Sequence, residues 1–424
     1  MHRVVTNSKF ILEATGGRDV GHKLVIGVCV ILVWLGAGAL VAADLNGLPK
    51  VVDFGDKVCI PCQLMAPALA ELKAEQAGKL QVEFVAVGEK ENLPLAEKHR
   101  INMIPTQIFF DATGKEVWRH EGFISKHGIL LKWKELGADL NAFGPTFKRL
   151  EAAAKDERPK DQVCFMCDGD VDPKTMVTVP TEKGKVHLCS AHHLFVMLSC
   201  LQKDVEATEK AAEIADAVSG KPIPALTATF LYGMEEKTGR PTVKAFAERA
   251  EAEKVRQAEG GSIVGYEVLK RKELANRCGF CDRAVYPEDV ALVKIDGLYS
   301  WGCCAHCAMG CAVRTGKDLE VHQPDGLTGE PVTVKTLGGY VSSIEPKTAV
   351  AWFGKRKNAE GKFVTAGCFH QGFFVNEENL KKWVEQHPLE TGEAITIEQS
   401  LRDKMALSPG QVQKACKIGE CSPK

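Results

Sequence analysis

Sixteen cysteines stand in a chain of 424 residues, and most of them fall in pairs or clusters. Cys59-Ile-Pro-Cys62 is one CxxC pair, Cys164-Phe-Met-Cys167 a second and Cys278-Gly-Phe-Cys281 a third. The run "CCAHCAMGC" from Cys303 to Cys311 puts four cysteines and a histidine within nine positions. Sulfur at such spacings does two kinds of chemistry. A thiolate can attack a disulfide while its neighbour resolves the mixed disulfide, or several thiolates can hold a soft or borderline ion such as zinc, copper(I) or mercury. Structural disulfides of an oxidising compartment remain the alternative for the pairs. A formal net charge of -1 with 26% charged residues offers no basic surplus, so nucleic acid is excluded as a partner.

These cysteines need elements to position them. "KVVDFG" predicts a strand over Val51–Phe54, and a helix is expected to begin near Cys62. The first pair then lies at a helix N-terminus, where unpaired N–H groups and partial positive charge favour a thiolate at Cys59. A strand over Leu80–Gly88, a short helix, a strand from Thr106, a DATG turn and another strand follow. Residues 46–140 resemble thioredoxin on these motifs together with Ile104-Pro105-Thr106. The resemblance implies a cis bond at Pro105, a buried proton-relaying carboxylate at Asp53, six residues before Cys59, and redox roles for Cys59 and Cys62. Val58 and Ile60 stand where the family commonly has tryptophan and glycine, which leaves redox potential and direction open.

An internal repeat follows a charged segment, "KRLEAAAKDERPKD", expected to be a helical linker over about 141–160. Shifting by 114 positions lays Cys164, Cys167, Cys189 and His193 on Cys278, Cys281, Cys303 and Cys307 without a gap. Asp168, Pro173 and His192 fall on Asp282, Pro287 and His306. Each copy reads as CxxC, a β-hairpin, and C-x3-[H/C] at the start of a helix, which can converge on one ion as Cys₃His or Cys₄. His192 and His306 read equally as ligands themselves or as histidines beside the ligands or at the surface.

Residues 160–272 look like the NosL-type copper-chaperone accessory family, through the CxxC opening, "KPIPA", a "KAFAERAEAEKVRQAEGG" helix and a "SIVGYEVL" strand. That family's CxxCGM is Cys167-Asp168-Gly169 here, and its methionine is replaced at the Gly239-Arg240-Pro241 turn. Met234 is either a substitute ligand or core. The stretch 285–405 resembles alkylmercury lyase through "TGEPVTV", "VSSIEPKTAV" and "GCFHQGFF" with "WVEQHP" behind it. This resemblance implies carbon–mercury cleavage by two cysteines and an aspartate: Cys304 matches the first cysteine and Cys368 the second, whereas Cys307 holds the aspartate's position and Asp325 that of a further cysteine.

The twenty uncharged residues Leu24–Ala43 are long enough to span a membrane. Arg3, Lys9, Arg18 and Lys23 before them predict a cytoplasmic N-terminus, with the bulk in a bacterial periplasm behind a single inner-membrane span; a cleaved signal is the alternative. Cys29 inside the span is read as inert, Cys311 as core or site, and Cys416 and Cys421 as a disulfide or a metal handle. The expected architecture is multi-domain α/β and α+β. It runs 1–23 cytoplasmic, 24–43 transmembrane helix, 46–140 thioredoxin fold, 141–160 linker, then two related cysteine-rich α+β domains at 160–272 and 273–405, and a tail at 406–424. The expected function is thiol-disulfide exchange coupled to soft-metal handling, fed by a transmembrane thiol-electron donor or a partner disulfide protein. The alternatives are an alkylmercury lyase, or a disulfide reductase whose later domains only bind a partner protein.

Overall fold

The computed structural model describes residues 47–413 apart from 139, 141–143, 145, 202 and 203. Leu24–Ala43, Cys29, Cys416 and Cys421 lie outside the described residues, and among the described ones no helix is long and apolar enough to cross a membrane.

The run Val51–Phe54 is buried on both faces because its strand is central. β1 (Lys50–Gly55), α1 (Ile60–Glu75), β2 (Gln81–Ala86), α2 (Leu93–Lys98), β3 (Thr106–Phe110), β4 (Glu116–Glu121) and α3 (Lys126–Glu135) form the first unit. Its sheet order is β2-β1-β3-β4, with β1 parallel to β2 and antiparallel to β3. Alternation sends Val51 and Phe109 to a core with Met65, Leu72, Ile129 and Trp133, and sends Val52, Phe54, Ile108 and Phe110 to the opposite face.

The charged segment after this unit is not the expected helix. β5 (Lys148–Arg149) pairs antiparallel with Gly392 and Glu393, the N–H groups of Ala153 and Ala154 donate to the Pro388 carbonyl, and Arg149 donates to the carbonyls of Val384 and His387. Tertiary partners for the backbone thus override the helix propensity of Ala152–Ala154.

The first repeat holds β6 (Val177–Thr181), β7 (Gly184–Leu188), α4 (Ala191–Cys200), α5 (Val205–Ala211), β8 (Glu213–Ala215) and β9 (Pro222–Pro224), in sheet order β7-β6-β8-β9. A small sheet, β11-β10-β12, is made by β10 (Thr229–Met234), β11 (Pro241–Phe246) and β12 (Ser262–Val264), with α6 (Arg249–Glu259) and α7 (Tyr266–Glu273) against it. Two sequence expectations are corrected here. "KAF" closes β11, where it pairs with β10, and the helix starts only at Arg249; "SIVGYEVL" is a strand for three residues and then a helix from Tyr266. Gly265 ends the strand, and Tyr266 and Leu269 turn into the core at helical spacing.

The second repeat carries β13 (Ala291–Ile295), β14 (Leu298–Gly302) and α8 (Ala305–Thr315), and its sheet continues through β15 (Glu320–Pro324), β16 (Pro331–Leu337) and β17 (Tyr340–Glu345). A last layer contains β18 (Val350–Lys357), β19 (Phe363–Thr365), β20 (Gln371–Phe374), α9 (Glu377–Gln386), β21 (Gly392–Ile395), α10 (Ile397–Met405) and α11 (Pro409–Gln413), with β18 between β19 or β20 and β21. Leu337 and Tyr340, at the β16–β17 turn, pack on the core of the first unit, and Lys347 pairs with Glu71 at 3.2 Å.

The repeats match bond by bond at the same offset. Cys164 N donates to Gly169 O at 2.8 Å and Cys278 N to Arg283 O at 2.9 Å; Phe165 N donates to His187 O and Gly279 N to Trp301 O, both at 2.8 Å. Asp168 and Asp282 both take the left-handed conformation, at φ 57° and 62°, which aspartate tolerates better than most residues. Gly302 closes β14 against the first turns of α8, and a Cβ there would lie 2.5 Å from both Cα and Cβ of Ala308. Gly302→Ala is therefore expected to cost at least about 1–3 kcal/mol by overpacking, read as a lower denaturant midpoint; an unchanged midpoint would show that α8 slides freely at its N-terminus.

Candidate functional site

Cys59 caps α1, where the Cys62 N–H donates to its sulfur at 3.3 Å, and the two are joined in a disulfide. Ile104–Pro105 is a cis peptide, and the Ile104 carbonyl lies 3.9 Å from the Cys59 sulfur. Val58, Ile60 and Met103 are exposed around the pair, so a protein disulfide would meet an apolar rim. Asp53 is fully buried below it on β1. Burial pushes its carboxyl up to about 6, against a hydrogen bond from Gln107 at 2.7 Å, and its second oxygen has no partner among the described residues.

The first repeat brings Cys164, Cys167, Cys189 and His193 together, with all four ligand atoms within 4.8 Å of one another. His193 presents Nδ1 to the Cys164 sulfur at 3.3 Å and to the Cys189 sulfur at 3.0 Å; burial opposes a charge on its ring, but the two sulfurs raise its pKa to about 9. His192 points elsewhere, donating or accepting at Glu273 (2.7 Å) and stacking on Tyr286 of the second repeat at 3.6 Å. Met234 is 72% exposed and belongs to neither the core nor this group.

The second repeat gathers Cys278, Cys281, Cys303 and Cys307 within the same limit, and a further group of Cys303, Cys304, Cys307 and Cys368 overlaps it. Cys281 and Cys303 sulfurs are 3.5 Å apart and Cys307 and Cys368 sulfurs 3.9 Å. These six residues and Cys200 and Cys311 apart, the described cysteines are the disulfide pair and the first-repeat ligands. Among the described residues no carboxylate oxygen joins either group. Asp325 is spent structurally, accepting from the N–H groups of Leu327, Thr328 and Val375 and from Asn379. His306 is buried against Phe353 with both ring nitrogens lacking a partner among the described residues, and burial drives its pKa down to about 3. Cys311 donates to the Cys307 carbonyl and stays outside the groups.

Several residues of this region carry no cysteine-like signal in the sequence. Phe369, next to Cys368, stacks edge-on against His193 at 5.1 Å and lies under the Arg283 guanidinium at 3.8 Å. Arg356 pairs with Asp168, and His370 sits 3.3 Å from Asp168 and 2.6 Å from Glu390, so a partly buried ionic knot ties the first repeat to the Cys368 loop. A cavity of about 520 Å³ opens here, and Cys164 and Cys368 both line it, with Arg158, Arg283, Arg356 and Phe369. Lys404 on α10 lies over the Phe280 ring at 4.7 Å and within electrostatic reach of the other sulfurs. Burial opposes its charge, yet the sulfurs of Cys307, Cys304, Cys368 and Cys303 hold its pKa above the ordinary lysine value.

The family model of a thioredoxin-like domain matches residues 37–135. A thioredoxin of Rickettsia felis is 35% identical over 85 residues, which are 20% of this chain and 78% of that protein. The chain belongs to the thioredoxin family. Beyond the thioredoxin domain, the alkylmercury lyase family model matches residues 290–406, a stretch that includes Cys303, Cys304, Cys307 and Cys368. An alkylmercury lyase of Streptomyces lividans is 33% identical over 100 residues, 23% of this chain and 45% of the lyase. A thiol:disulfide interchange protein TxlA homolog of Synechocystis sp. is 36% identical over 72 residues, 17% of this chain and 40% of that protein. The chain thus spans less than half the length of these last two relatives.

The raised Asp53 pKa fixes a pH dependence. The folded state binds the extra proton between the ordinary 3.8 and about 6, so its stabilising contribution is complete below pH 3.8 and is lost as pH rises through 6. Asp53→Asn should gain up to about 3 kcal/mol of stability relative to the natural chain between pH 4 and pH 7, while slowing disulfide reduction at neutral pH. Parallel denaturant curves at both pH values check this, and an equal difference at pH 4 and 7 would refute it.

Proposed function

We propose that this chain traps a soft metal ion, mercury(II) foremost, on the thiolates of its second repeat, and that its thioredoxin domain keeps those thiols reduced. One observation carries the reading: Cys304 and Cys368, 64 positions apart, are brought with Cys303 and Cys307 into one group of four sulfurs inside the segment that matches the alkylmercury lyase family. Soft thiolates are the donors mercury and copper(I) prefer. The first repeat adds a Cys₃His set suited to a zinc or copper(I) ion, as the sequence resemblance of residues 160–272 to the copper-chaperone accessory family would lead one to expect.

Reduction follows from thiol exchange. The Cys59 thiolate attacks a disulfide, Cys62 displaces the mixed disulfide, and the pair is left oxidised while the target regains two thiols. An outside dithiol must then reduce Cys59–Cys62. We assign that role to a membrane-borne donor or a partner disulfide protein, with the chain held at the inner membrane by Leu24–Ala43 and its bulk in the periplasm.

Cleavage of alkylmercury is a second reading, favoured by the match that spans both lyase-like cysteines. Two thiolates would grip the ion, and an acid must protonate the departing carbon. Among the described residues the sulfur groups contain no carboxylate, and Lys404 is a cation within electrostatic reach of them. Trapping is therefore the first reading.

The test uses the reduced full chain under nitrogen with methylmercury thiolate. Retention through gel filtration is expected, and Cys304→Ser or Cys368→Ser should weaken it by about tenfold or more, since even outer partners of a metal ligand are worth that much. Retention unchanged in both variants would defeat the trap. Methane release that depends on both cysteines would establish turnover instead, and Cys307→Asp should raise that rate about a hundredfold if protonation limits it. In a disulfide-reduction assay Cys59→Ser should abolish activity and Cys62→Ser should accumulate a mixed disulfide; full activity in Cys59→Ser would remove the redox role.

A further inference from the structure

The two sulfur groups of the second repeat share two members. Cys278, Cys281, Cys303 and Cys307 form one, Cys303, Cys304, Cys307 and Cys368 the other, and in each all sulfurs lie within 4.8 Å of one another. A tetrahedral ion with metal–sulfur bonds of about 2.3 Å needs sulfur–sulfur edges of about 3.8 Å. The separations of 3.5 Å for Cys281–Cys303 and 3.9 Å for Cys307–Cys368 bracket that edge, one in each group.

A single ion in either group leaves two thiols over, Cys304 and Cys368 or Cys278 and Cys281. Two tetrahedra sharing the edge Cys303–Cys307 use all six. We propose that the second repeat holds a binuclear cluster, two soft divalent ions bridged by the sulfurs of Cys303 and Cys307, with Cys278 and Cys281 completing one ion and Cys304 and Cys368 the other. The proposal rests on the reading of these thiols as metal ligands.

The first repeat shows what the cluster requires. Ser190 occupies the place of Cys304 in the repeat, and each caps the following helix in the same way: the His193 N–H donates to Ser190 Oγ and the Cys307 N–H to Cys304 Sγ, both at 3.3 Å. At that position the first copy has oxygen where the second has sulfur. It also has His193 at the place of Cys307, and an imidazole nitrogen does not bridge two ions as a thiolate does. The first copy is thereby limited to one ion, while the second gains Cys304, a bridging Cys307, and Cys368 from the lyase-like segment.

Charge selects the oxidation state. Six thiolates and two divalent ions leave a net charge of -2, while two monovalent ions would leave -4. The groups available to balance it are the Lys404 ammonium, the N-terminal end of α8, and backbone N–H donors such as Cys303 N to Cys278 Sγ at 3.4 Å. They suit the smaller charge. On binding, the protons of the thiols pass to solvent and no electron moves.

The full chain, reduced under nitrogen, is loaded with cadmium-113 as the probe, gel-filtered, and its metal and protein measured. Three ions per chain are expected, one in the first repeat and two in the second, with two cadmium resonances coupled to each other through the shared sulfurs. Cys304→Ser/Cys368→Ser should hold two ions and lose the coupling, and Cys164→Ser/Cys167→Ser should hold two ions and keep it. Two ions in the natural chain with no coupled resonances would overturn the binuclear cluster while leaving one ligand site per repeat. No bound cadmium would overturn the cluster and the metal reading together.

Discussion

Sulfur crowding is the constraint on which the second half of the molecule depends. Six thiols within one small volume repel one another as they ionise, and such a group is stable only when protons or cations hold it together. The surroundings are built to supply that attraction. α8 begins at Ala305, so its N-terminal end faces Cys303, Cys304 and Cys307, and α10 packs across α8 and carries Lys404. β20 and its preceding turn deliver Cys368 from 61 positions beyond Cys307. Gly302 lets β14 and α8 approach closely enough for the sulfurs to meet.

Under the proposed cluster, the duplication accounts for two sites of different capacity on one scaffold. The knuckle, the hairpin and the helix start recur with the same backbone bonds, so the framework fixes four ligand positions in each copy. Side chains then decide the outcome. His192 is tied to Glu273 and stacked on Tyr286, which makes it a strut between the copies, whereas its counterpart His306 is buried with no polar partner for either nitrogen among the described residues. The Phe369 ring on His193 and the neighbouring Cys368 link the sites through a single turn, and the cavity lined by Cys164 and Cys368 gives both access to one space.

What the sequence made legible was the short-range chemistry. CxxC at a strand-to-helix junction, the 114-residue offset and the C-x3-[H/C] helix starts all depend on local geometry, and local geometry is written in local spacing. Long-range partners left weaker traces. Cys368 was reached only through a family likeness, and nothing in the spacing of Lys404, Arg356 or His370 marks them as neighbours of a thiol group, because their meeting depends on how β18, β20 and α10 pack. The segment 148–161 looked helical since alanine and charge favour a helix when nothing competes. The free edge of β21 and the carbonyls near Pro388 do compete, and an extended strand results.

If the second repeat traps a metal as proposed, the reductant joined to it answers a problem that the trap creates. Empty thiols spaced at 3.5 and 3.9 Å are close to the distance from which a disulfide can form with modest movement, and a disulfide among them removes two ligands at once. A bound ion uses the same lone pairs that oxidation would attack, so the filled site protects itself and only the empty one needs repair. Covalent linkage keeps the thioredoxin domain at an effective concentration in the millimolar range relative to whatever thiols it can reach. The exposed rim of Val58, Ile60 and Met103 leaves the Cys59–Cys62 end open, as the proposed recharging by an outside dithiol requires.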